Sequence, residues 1–411
     1  MSNSFLSGGP GRGAALSVQD ADSILSDFQI PIHVETVDLE RAAGRLLVGQ
    51  VVADRPVPAF DRVCMDGYVF AFEEFRKGRR EFEVLGTARA GQPRSELSNP
   101  GGCLEAMTGS VLPAGCDTVI AVERTERLDD ARVRFLTDDL AKGANVHQTG
   151  RDRKSGETVI ETPTLVGPGE IAALASLGIV RPTVATLLKV VLLSSGDELV
   201  APDRTPQPHQ VRQSNVWGIA ASMELAGFGR PAIRHVPDEE SKLRQILSRL
   251  IKEFDVVVLS GGVSMGKWDL IPAILESLGV ERLFHGVAQK PGHPLWMGMT
   301  QDGGLVAGLP GNPLSALICF SRYVRPILER STGGRPAAFQ VVLATDVKES
   351  PKQTRFVPVK LSRQGLVQAT TPVVVTGSGD WAGLVGTDGF VEIPPGTESV
   401  RAGSTVDFHP W

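Results

Sequence analysis

Apolar residues near the start of the chain recur with the spacing of a helix. Between residues 18 and 28 they follow the 3.6-residue period of an amphipathic helix. Ser17, with Asp20 three positions later, is a capping-box signal at the start of this helix. The same spacing predicts a second helix over residues 38–46.

Residues 51–146 follow a different pattern, with short apolar segments, frequent glycine and proline, and alternation of apolar and polar residues at 81–85. Because a period of two is typical of half-buried strands, this region is predicted to be β-rich. Helical spacing resumes at 170–177 and stops at Gly178. The β-rich region is therefore predicted to be an insertion in a domain that begins with the first helices.

From about residue 189 to 333, apolar runs alternate with amphipathic helices, which predicts a mainly parallel sheet. Beyond residue 336 only short alternating strands remain. The predicted fold class is a multidomain α/β protein with a central three-layer α/β domain, a β-rich inserted domain, a small helical or mixed domain and a C-terminal all-β, barrel-like domain. The predicted boundaries are 14–50 with 147–186 for the small domain, 51–146 for the insertion, 187–334 for the α/β domain and 335–411 for the C-terminal domain.

Three predicted strands end in loops rich in glycine and small polar residues. The loops contain Ser195, Gly196, Asp197 and Glu198; Ser260, Gly261, Gly262, Ser264 and Gly266; and Gly308, Leu309, Pro310, Gly311, Asn312 and Pro313. Glycine lets the backbone turn sharply and approach a ligand, and open α/β sheets bind phosphates at such loops. Ordinary tight turns are the alternative interpretation. Because the second and third loops each lead into a helix, with Asn312 suited to the N-cap and Pro313 to the first helical position, we predict a shared ligand crevice.

Composition excludes several classes of protein. The chain has 411 residues, 42% of them apolar, and a net charge of −5, which argues against general nucleic-acid binding. The four cysteines form no CxxC pair, so we expect neither a disulfide framework nor a zinc site, and we expect a reducing cytoplasm. We expect no signal peptide and no membrane span. The seven histidines lack metal-binding spacing.

Six motifs occur in the order in which a known family carries them. They are Asp61 through Tyr68 (DRVCMDGY), Met107-Thr108-Gly109, Ser195-Gly196-Asp197-Glu198, Ser260 through Gly266 (SGGVSMG), Lys290-Pro291-Gly292 and Gly308 through Pro313 (GLPGNP). On these motifs the chain resembles, from about Leu16 to its end, the MoeA family of molybdopterin molybdenumtransferases, whose architecture is shared by the E domain of gephyrin.

This resemblance implies a fold, an assembly and a reaction. It implies four domains, a first domain interrupted by the second, and an elongated homodimer with an active site shared between subunits. The implied reaction inserts molybdate into the dithiolene of adenylylated molybdopterin, with magnesium-dependent release of AMP. The implied partners are these small-molecule substrates and, transiently, other enzymes of the molybdenum cofactor.

The resemblance also implies roles for individual residues. It implies catalytic roles for Asp66, Asp152, Glu198 and Lys290. It implies substrate contacts for Thr108, Ser195, Gly196, Ser260, Gly261, Gly262, Ser264, Gly266, His293, Pro310, Gly311, Asn312, Pro313 and Ser315. The implied magnesium ligands are Glu198, Asp238 and Asp269, since magnesium prefers carboxylate oxygens.

Ordinary structural roles remain open for several of these residues. Asp238 and Asp269 are each placed to cap a helix, and Asp66 precedes Gly67 as a turn aspartate does. Lys290 is equally compatible with a solvated surface position.

The chain departs from the family pattern at three positions. His293 stands where a second lysine is usual, Val63 where a small hydroxyl residue is usual, and Gln213 where an acidic residue is expected. The pterin cradle is therefore complete while the anion clamp is altered. Two alternative functions follow: a pterin-binding scaffold without turnover, and a tungsten-preferring paralogue. His293 packed structurally beside Pro294 is the alternative to an anion-binding role.

Overall fold

The computed structural model describes residues 15–263, 270–334, 337–348, 352–364, 367–396 and 399–411. The chain divides into two compact units. The larger unit contains the described residues up to Val48, Leu165–Gly167 and Thr183–Trp411, and the smaller unit contains Gly49–Thr164 and Pro168–Pro182. The mixed α/β fold class predicted from the sequence is confirmed.

Six strands, counted over the residues that the structure describes, form the central sheet of the larger unit. In chain order they are β1 (Val190–Ser195), β2 (Ala232–Val236), β3 (Val256–Ser260), β4 (Glu281–His285), β5 (Trp296–Met299) and β6 (Leu305–Leu309). Their spatial order is β2-β1-β3-β6-β5-β4, in which the first four are parallel and β5 is antiparallel to both of its neighbours. β1, β3 and β6 are buried along their whole length, as their continuous apolar runs predict.

Helices cover both faces of this sheet. They are α1 (Asn215–Leu225), α2 (Glu240–Glu253), α3 (Leu270–Ser277), α4 (Pro313–Cys319) and α5 (Arg325–Ser331), with the π-helical segment Phe320–Val324 joining the last two. Leu192 of β1 packs in one hydrophobic cluster with residues of α1 and α4, and the next residue, Leu193, packs in another with α2 and α3. Because successive strand residues point to opposite faces, the result is the predicted three-layer arrangement. Within the described part of the chain, no helix is long and apolar enough to cross a membrane.

The first predicted helix is confirmed and the second is wrong. Helix Val18–Leu25 begins with a capping box in which the Asp20 amide donates to Ser17 Oγ (3.0 Å) and Ser17 N donates to the Asp20 carboxylate (3.2 Å). The region predicted as a second helix contains only a 3₁₀ turn, Leu39–Arg41, and the strand Leu46–Leu47. Strands Val34–Thr36 and Thr183–Ala185 share a sheet with Leu46–Leu47, so tertiary strand pairing overrides the local helical spacing.

The C-terminal strands of the larger unit close into a barrel. Each of five strands pairs with two others; they are Phe339–Leu343, Thr354–Gln364, Val367–Pro372, Gly389–Ile393 and Thr405–Pro410. The short strand Gln289–Lys290 adds to this barrel in parallel with Thr354–Gln364. The remaining short elements are the pairs Leu199–Val200 with Val211–Arg212 and Val347–Lys348 with Ser399–Val400, and the 3₁₀ turn Ala382–Leu384.

The smaller unit is β-rich, as its alternating pattern predicts. In spatial order its main sheet contains Thr118–Ala121, Gly67–Phe70, Gly102–Ala106, Glu81–Ala88, Arg132–Phe135 and Thr125–Arg127. Short strands Arg62–Val63 with Val146–His147 and Val51–Val52 with Thr158–Ile160, helices Phe72–Arg76 and Pro168–Ser176, and the 3₁₀ turn Val122–Arg124 complete it. Strand Thr164–Leu165 lies where the chain passes to the larger unit. The rings of Phe70, Phe82 and Phe135 pack with centroids 4.5–5.4 Å apart in its core.

Candidate active site

Three loops meet at the carboxyl edge of the central sheet. In the register of the parallel strands, Ser194 at the end of β1 lies beside Ser260 of β3, which lies beside Leu309 of β6. The loops that follow these residues line two adjoining cavities of about 600 and 620 Å³, and we call the combined space the crevice. Both cavities are lined by Ser195, Glu198, Gly261, Gly311 and Asn312. The shared crevice predicted from the strand–loop–helix pattern is therefore present.

Glycine is required where these loops touch. Gly261 has φ of +98°, and a Cβ built there would lie 2.8 Å from the carbonyl oxygen of Ser195. A Cβ on Gly311 would lie 3.7 Å from the Cα of Gly261, so the two loops approach backbone to backbone. Any larger residue at position 261 would both strain the backbone and separate the loops.

Asn215 ties the second loop to the third. Its side-chain amide donates to Ser260 Oγ and to the carbonyl oxygen of Gly311, both at 2.8 Å. As the first residue of α1 it lines the crevice, and sequence reasoning did not assign it to the site. The sequence feature that could have indicated Asn215 is a polar residue at the start of a helix, but helix capping alone would explain such a residue.

Two of the predicted magnesium ligands line the crevice. Glu198 and Asp238 both border the 600 Å³ cavity, and Ser195 Oγ donates a short hydrogen bond to the Asp238 carboxylate. A Cβ on Gly196 would lie 2.6 Å from the Glu198 carboxylate, so that carboxylate lies directly over the turn. The prediction that Asp238 caps α2 is wrong: the N-cap is Glu239, and the Asp238 side chain is engaged by β1 instead.

The donor set fits a magnesium ion held jointly with a substrate. Among the residues that are described, no group of three or more His, Cys, Asp and Glu side chains is placed to hold a metal ion. Magnesium typically takes one or two carboxylates, with waters and substrate phosphates as its other ligands. Glu198 and Asp238 in one cavity meet that requirement. The predicted site residues Ser264, Gly266 and Asp269 lie outside the described residues.

A third cavity, of about 880 Å³, is lined by several cationic side chains, and we call it the anion pocket. Lys290 and Arg355 are register partners on parallel strands, and both line it together with Lys348. Its lining also includes His293 and the predicted substrate contact Ser315, with Asp346 as an opposing charge. Sequence reasoning missed Arg355 and Lys348 because nothing local indicates which barrel strand pairs with Gln289–Lys290.

His293 is exposed to the anion pocket and fixed by one ring nitrogen. Its Nδ1 lies 2.7 Å from the carbonyl oxygen of Val287, which can only accept, so Nδ1 carries the proton of this hydrogen bond. The other ring nitrogen, Nε2, is the atom that remains for a ligand. Pro310 and Asn312 line both the anion pocket and the crevice, so the two spaces adjoin.

The smaller unit holds the other predicted acidic residues in two pairs. Thr108 donates to the Asp66 carboxylate from its backbone N (2.7 Å) and its Oγ1 (2.8 Å). These bonds, the backbone one foremost, hold the pKa of Asp66 below its usual value. Asp152 lies 2.9 Å from His147 Nε2. Thr108 thus contacts the carboxylate that the resemblance implies to be catalytic.

Three family models match successive parts of this chain, and two of them describe the MoeA family. Residues 16–178 match the MoeA N-terminal region (domain I and II), residues 191–330 match a probable molybdopterin binding domain, and residues 340–411 match the MoeA C-terminal region (domain IV).

Relatives resemble the chain over nearly its full length. It is 36% identical over 380 residues to the molybdopterin molybdenumtransferase of Synechocystis sp., covering 92% of this chain and 95% of that protein. It is 30% identical to the molybdopterin molybdenumtransferase of Bacillus subtilis, covering 95% of this chain and 93% of that protein. The crystal structure of the molybdopterin biosynthesis MoeA protein from Pyrococcus horikoshii OT3 is similar with a TM-score of 0.80 and 26% identity, covering 97% of this chain and 100% of that one.

Proposed function

Because this chain belongs to the MoeA family, we propose that it inserts molybdate into the dithiolene of adenylylated molybdopterin and releases AMP. The chain is a transferase of molybdenum cofactor biosynthesis. The observation that supports the proposed molybdate insertion is that the crevice adjoins the anion pocket at Pro310 and Asn312. A substrate held in the crevice can present its dithiolene to an anion held next to it.

Different crevice residues bind different parts of the substrate and its metal ion. The loops at Ser260 and Gly311 form the cradle for the substrate's phosphates, because such loops approach anions at the carboxyl edge of an open sheet. Glu198 and Asp238 would hold magnesium, and Ser195 orients the second of these carboxylates. Bound magnesium supplies positive charge that stabilises the leaving phosphate.

The anion pocket supplies the charge for molybdate. Lys290, Lys348 and Arg355 are cationic throughout the physiological range, and only Asp346 opposes them in the described lining. A dianion entering this pocket therefore meets a net positive field even though His293 replaces the usual lysine. The altered clamp is thus compatible with turnover, and neither the scaffold nor the tungsten-preferring alternative is favoured by the relatives.

The proposal is tested by product formation. Purified protein with adenylylated molybdopterin, molybdate and magnesium should release AMP and yield active cofactor. Absence of AMP release over a full magnesium titration would contradict it. Competition between tungstate and molybdate in the same assay tests which anion the pocket prefers. We also place the reaction in a reducing cytoplasm, supported by the free state of Cys64, Cys103, Cys116 and Cys319.

We expect molybdate binding to depend on pH through position 293. Lysine stays charged up to about pH 10, whereas histidine side chains change charge between roughly pH 5 and 8. Molybdate affinity of the wild type should therefore weaken as the pH rises, because a histidine in the pocket can lose its positive charge while a lysine keeps it. His293→Lys should flatten this profile, and His293→Ala should weaken binding most at the acidic end. Equilibrium dialysis with molybdate measures each profile.

A matched control separates this effect from general charge changes. His209 is exposed and lies outside the described lining of the anion pocket, so His209→Lys should leave the pH profile of the wild type unchanged. Identical profiles in the wild type and His293→Lys would show that His293 does not contact the anion.

We propose that the active protein is a homodimer in which an exposed loop of one subunit completes the crevice of the other. The loop carries Asp66, which is exposed and held by Thr108. Mixing inactive Asp66→Ala with inactive Glu198→Ala protein should then restore about a quarter of wild-type AMP release, since half of randomly formed dimers are hybrids with one intact site of two.

In the control mixture, both substitutions are of residues that line the crevice. Glu198→Ala mixed with Asp238→Ala should give no recovery, because every crevice in every dimer lacks a carboxylate. Recovery in neither mixture, with subunit exchange verified by two affinity tags, would rule out a site shared between subunits.

A further inference from the structure

Loop 376–383 of the C-terminal region has a fixed conformation. The Asp380 carboxylate accepts hydrogen bonds from the backbone N of Thr376 and of Gly383, both at 2.9 Å, and from Thr376 Oγ1 at 3.1 Å. These bonds, with that from the Thr376 backbone foremost, lower the pKa of Asp380. The turn that carries the neighbouring residue, Trp381, is therefore ordered by its own hydrogen bonds.

The same loop is attached to the start of α4. The backbone N of Leu314 donates to the carbonyl oxygen of Ser378 (3.2 Å), and the Asn312 side chain donates to Ser378 Oγ (2.9 Å). Asn312 occupies the N-cap position of α4, but its side chain makes no cap bond and holds the loop instead. This attachment brings Gly379 and Trp381 into the lining of the 620 Å³ cavity.

Trp381 is a large apolar side chain that is left 64% exposed on this ordered loop. It lines the cavity together with Glu198, Ser260 and Gly311, and with Gln213, whose amide can donate to and accept from a ring edge. An exposed indole on an ordered loop offers a flat surface at little further entropic cost. Such surfaces hold nucleobases and similar rings by stacking.

We propose that Trp381 is the surface on which a flat heteroaromatic ring of the substrate stacks, and that it thereby contributes to substrate specificity. The inference rests on the proposed function, because adenylylated molybdopterin carries two such rings, adenine and pterin. The phosphate-binding loops at Ser260 and Gly311 line the same cavity, so a phosphate held there keeps its attached ring within the space that Trp381 borders.

Equilibrium binding of three probes tests the proposal. AMP, a free pterin and ribose 5-phosphate, which lacks a ring of this kind, are titrated calorimetrically into the wild type, Trp381→Ala, Trp381→Phe and Trp217→Ala. Trp381→Ala should weaken binding of at least one ring-bearing probe roughly 5- to 30-fold, while Trp381→Phe, which keeps an aromatic face, should stay within about 3-fold of the wild type. Ribose 5-phosphate should bind all four proteins equally. Trp217 is also exposed but lies outside the described lining of the cavity, so Trp217→Ala should bind like the wild type.

The pattern across the probes identifies the ring. Loss confined to AMP assigns the adenine, and loss confined to the pterin assigns the pterin; either result supports the proposal. Unchanged binding of both rings to Trp381→Ala, or an equal loss for ribose 5-phosphate, would overturn stacking at Trp381 while leaving the proposed function intact. A wild type that binds neither AMP nor pterin would instead contradict the proposed function, and this inference with it.

Discussion

Replacing Glu198 with glutamine should reduce AMP release by at least about 100-fold while leaving the protein folded. The amide keeps the shape of the side chain but removes one of the two carboxylates that border the 600 Å³ cavity. Magnesium would then be held by Asp238 and the substrate alone, so the magnesium concentration needed for half-maximal activity should rise. Initial rates of AMP release over a magnesium titration measure both effects. The melting temperature should stay unchanged, because Glu198 is exposed and packs in no core.

Glu239→Gln is the matched control for this substitution. Glu239 is adjacent to Asp238, pairs with Lys242 at 2.6 Å and lies outside the described lining of the crevice. Its replacement should leave both the rate and the magnesium requirement as in the wild type. If Glu198→Gln lowers the melting temperature without changing the magnesium requirement, Glu198 is a structural turn residue and the assignment is wrong.

The elements that the sequence predicts well are those determined by local pattern and burial. β1, β3 and β6 are buried at every position because helices cover both faces of the sheet, and their nearly continuous apolar runs therefore predict their location and parallel direction. Their glycine loops follow as well, since only glycine tolerates the backbone of a residue such as Gly261. The crevice could therefore be predicted from the sequence alone.

The predictions that failed depend on partners distant in sequence. Asp238 is a plausible cap, but its hydrogen-bond partner is Ser195, 43 residues earlier, and no local rule indicates that contact. The helix expected at 38–46 is lost to a sheet whose other strands include Thr183–Ala185. Arg355 reaches the anion pocket only through the register of a short edge strand. Pairing register is poorly specified by such short strands, so the sequence alone does not indicate that Arg355 lies beside Lys290.

One structural feature with no signature in the sequence is a charge network around Arg322. Its guanidinium binds the Asp22 carboxylate with two hydrogen bonds of 2.7 and 2.8 Å and the Glu392 carboxylate with one of 2.8 Å. His409 Nε2 lies 3.5 Å from the same Glu392 oxygen. The side chain of Arg322 is only 12% exposed and that of Glu392 only 19%. The network therefore connects helix Val18–Leu25, the segment between α4 and α5, and the barrel.

Arg322→Met should destabilise the larger unit by about 3–5 kcal/mol, because it leaves a buried carboxylate without its cation. Methionine retains most of the apolar length of the side chain, so the loss reports charge rather than volume. Arg134→Met is the control: Arg134 also bridges two carboxylates, Glu81 and Glu126, but its side chain is 45% exposed, and its loss should change stability by less than about 1 kcal/mol. Urea unfolding monitored by circular dichroism gives both values.

The pH dependence of this loss tests whether it arises from the charge of the carboxylates that Arg322 binds. Burial alone would raise the pKa of Glu392, but the nearby His409 ring and the charge of Arg322 outweigh it and lower that pKa. A carboxyl with a lowered pKa in the folded state stabilises the fold fully above its ordinary value, and this contribution disappears as the pH falls through the lowered value. The difference between the wild type and Arg322→Met should therefore be constant from about pH 6 to 8 and shrink below about pH 4.5. A difference that persists undiminished at pH 4 would mean that Arg322 stabilises the fold through packing and not through the charge of its carboxylate partners.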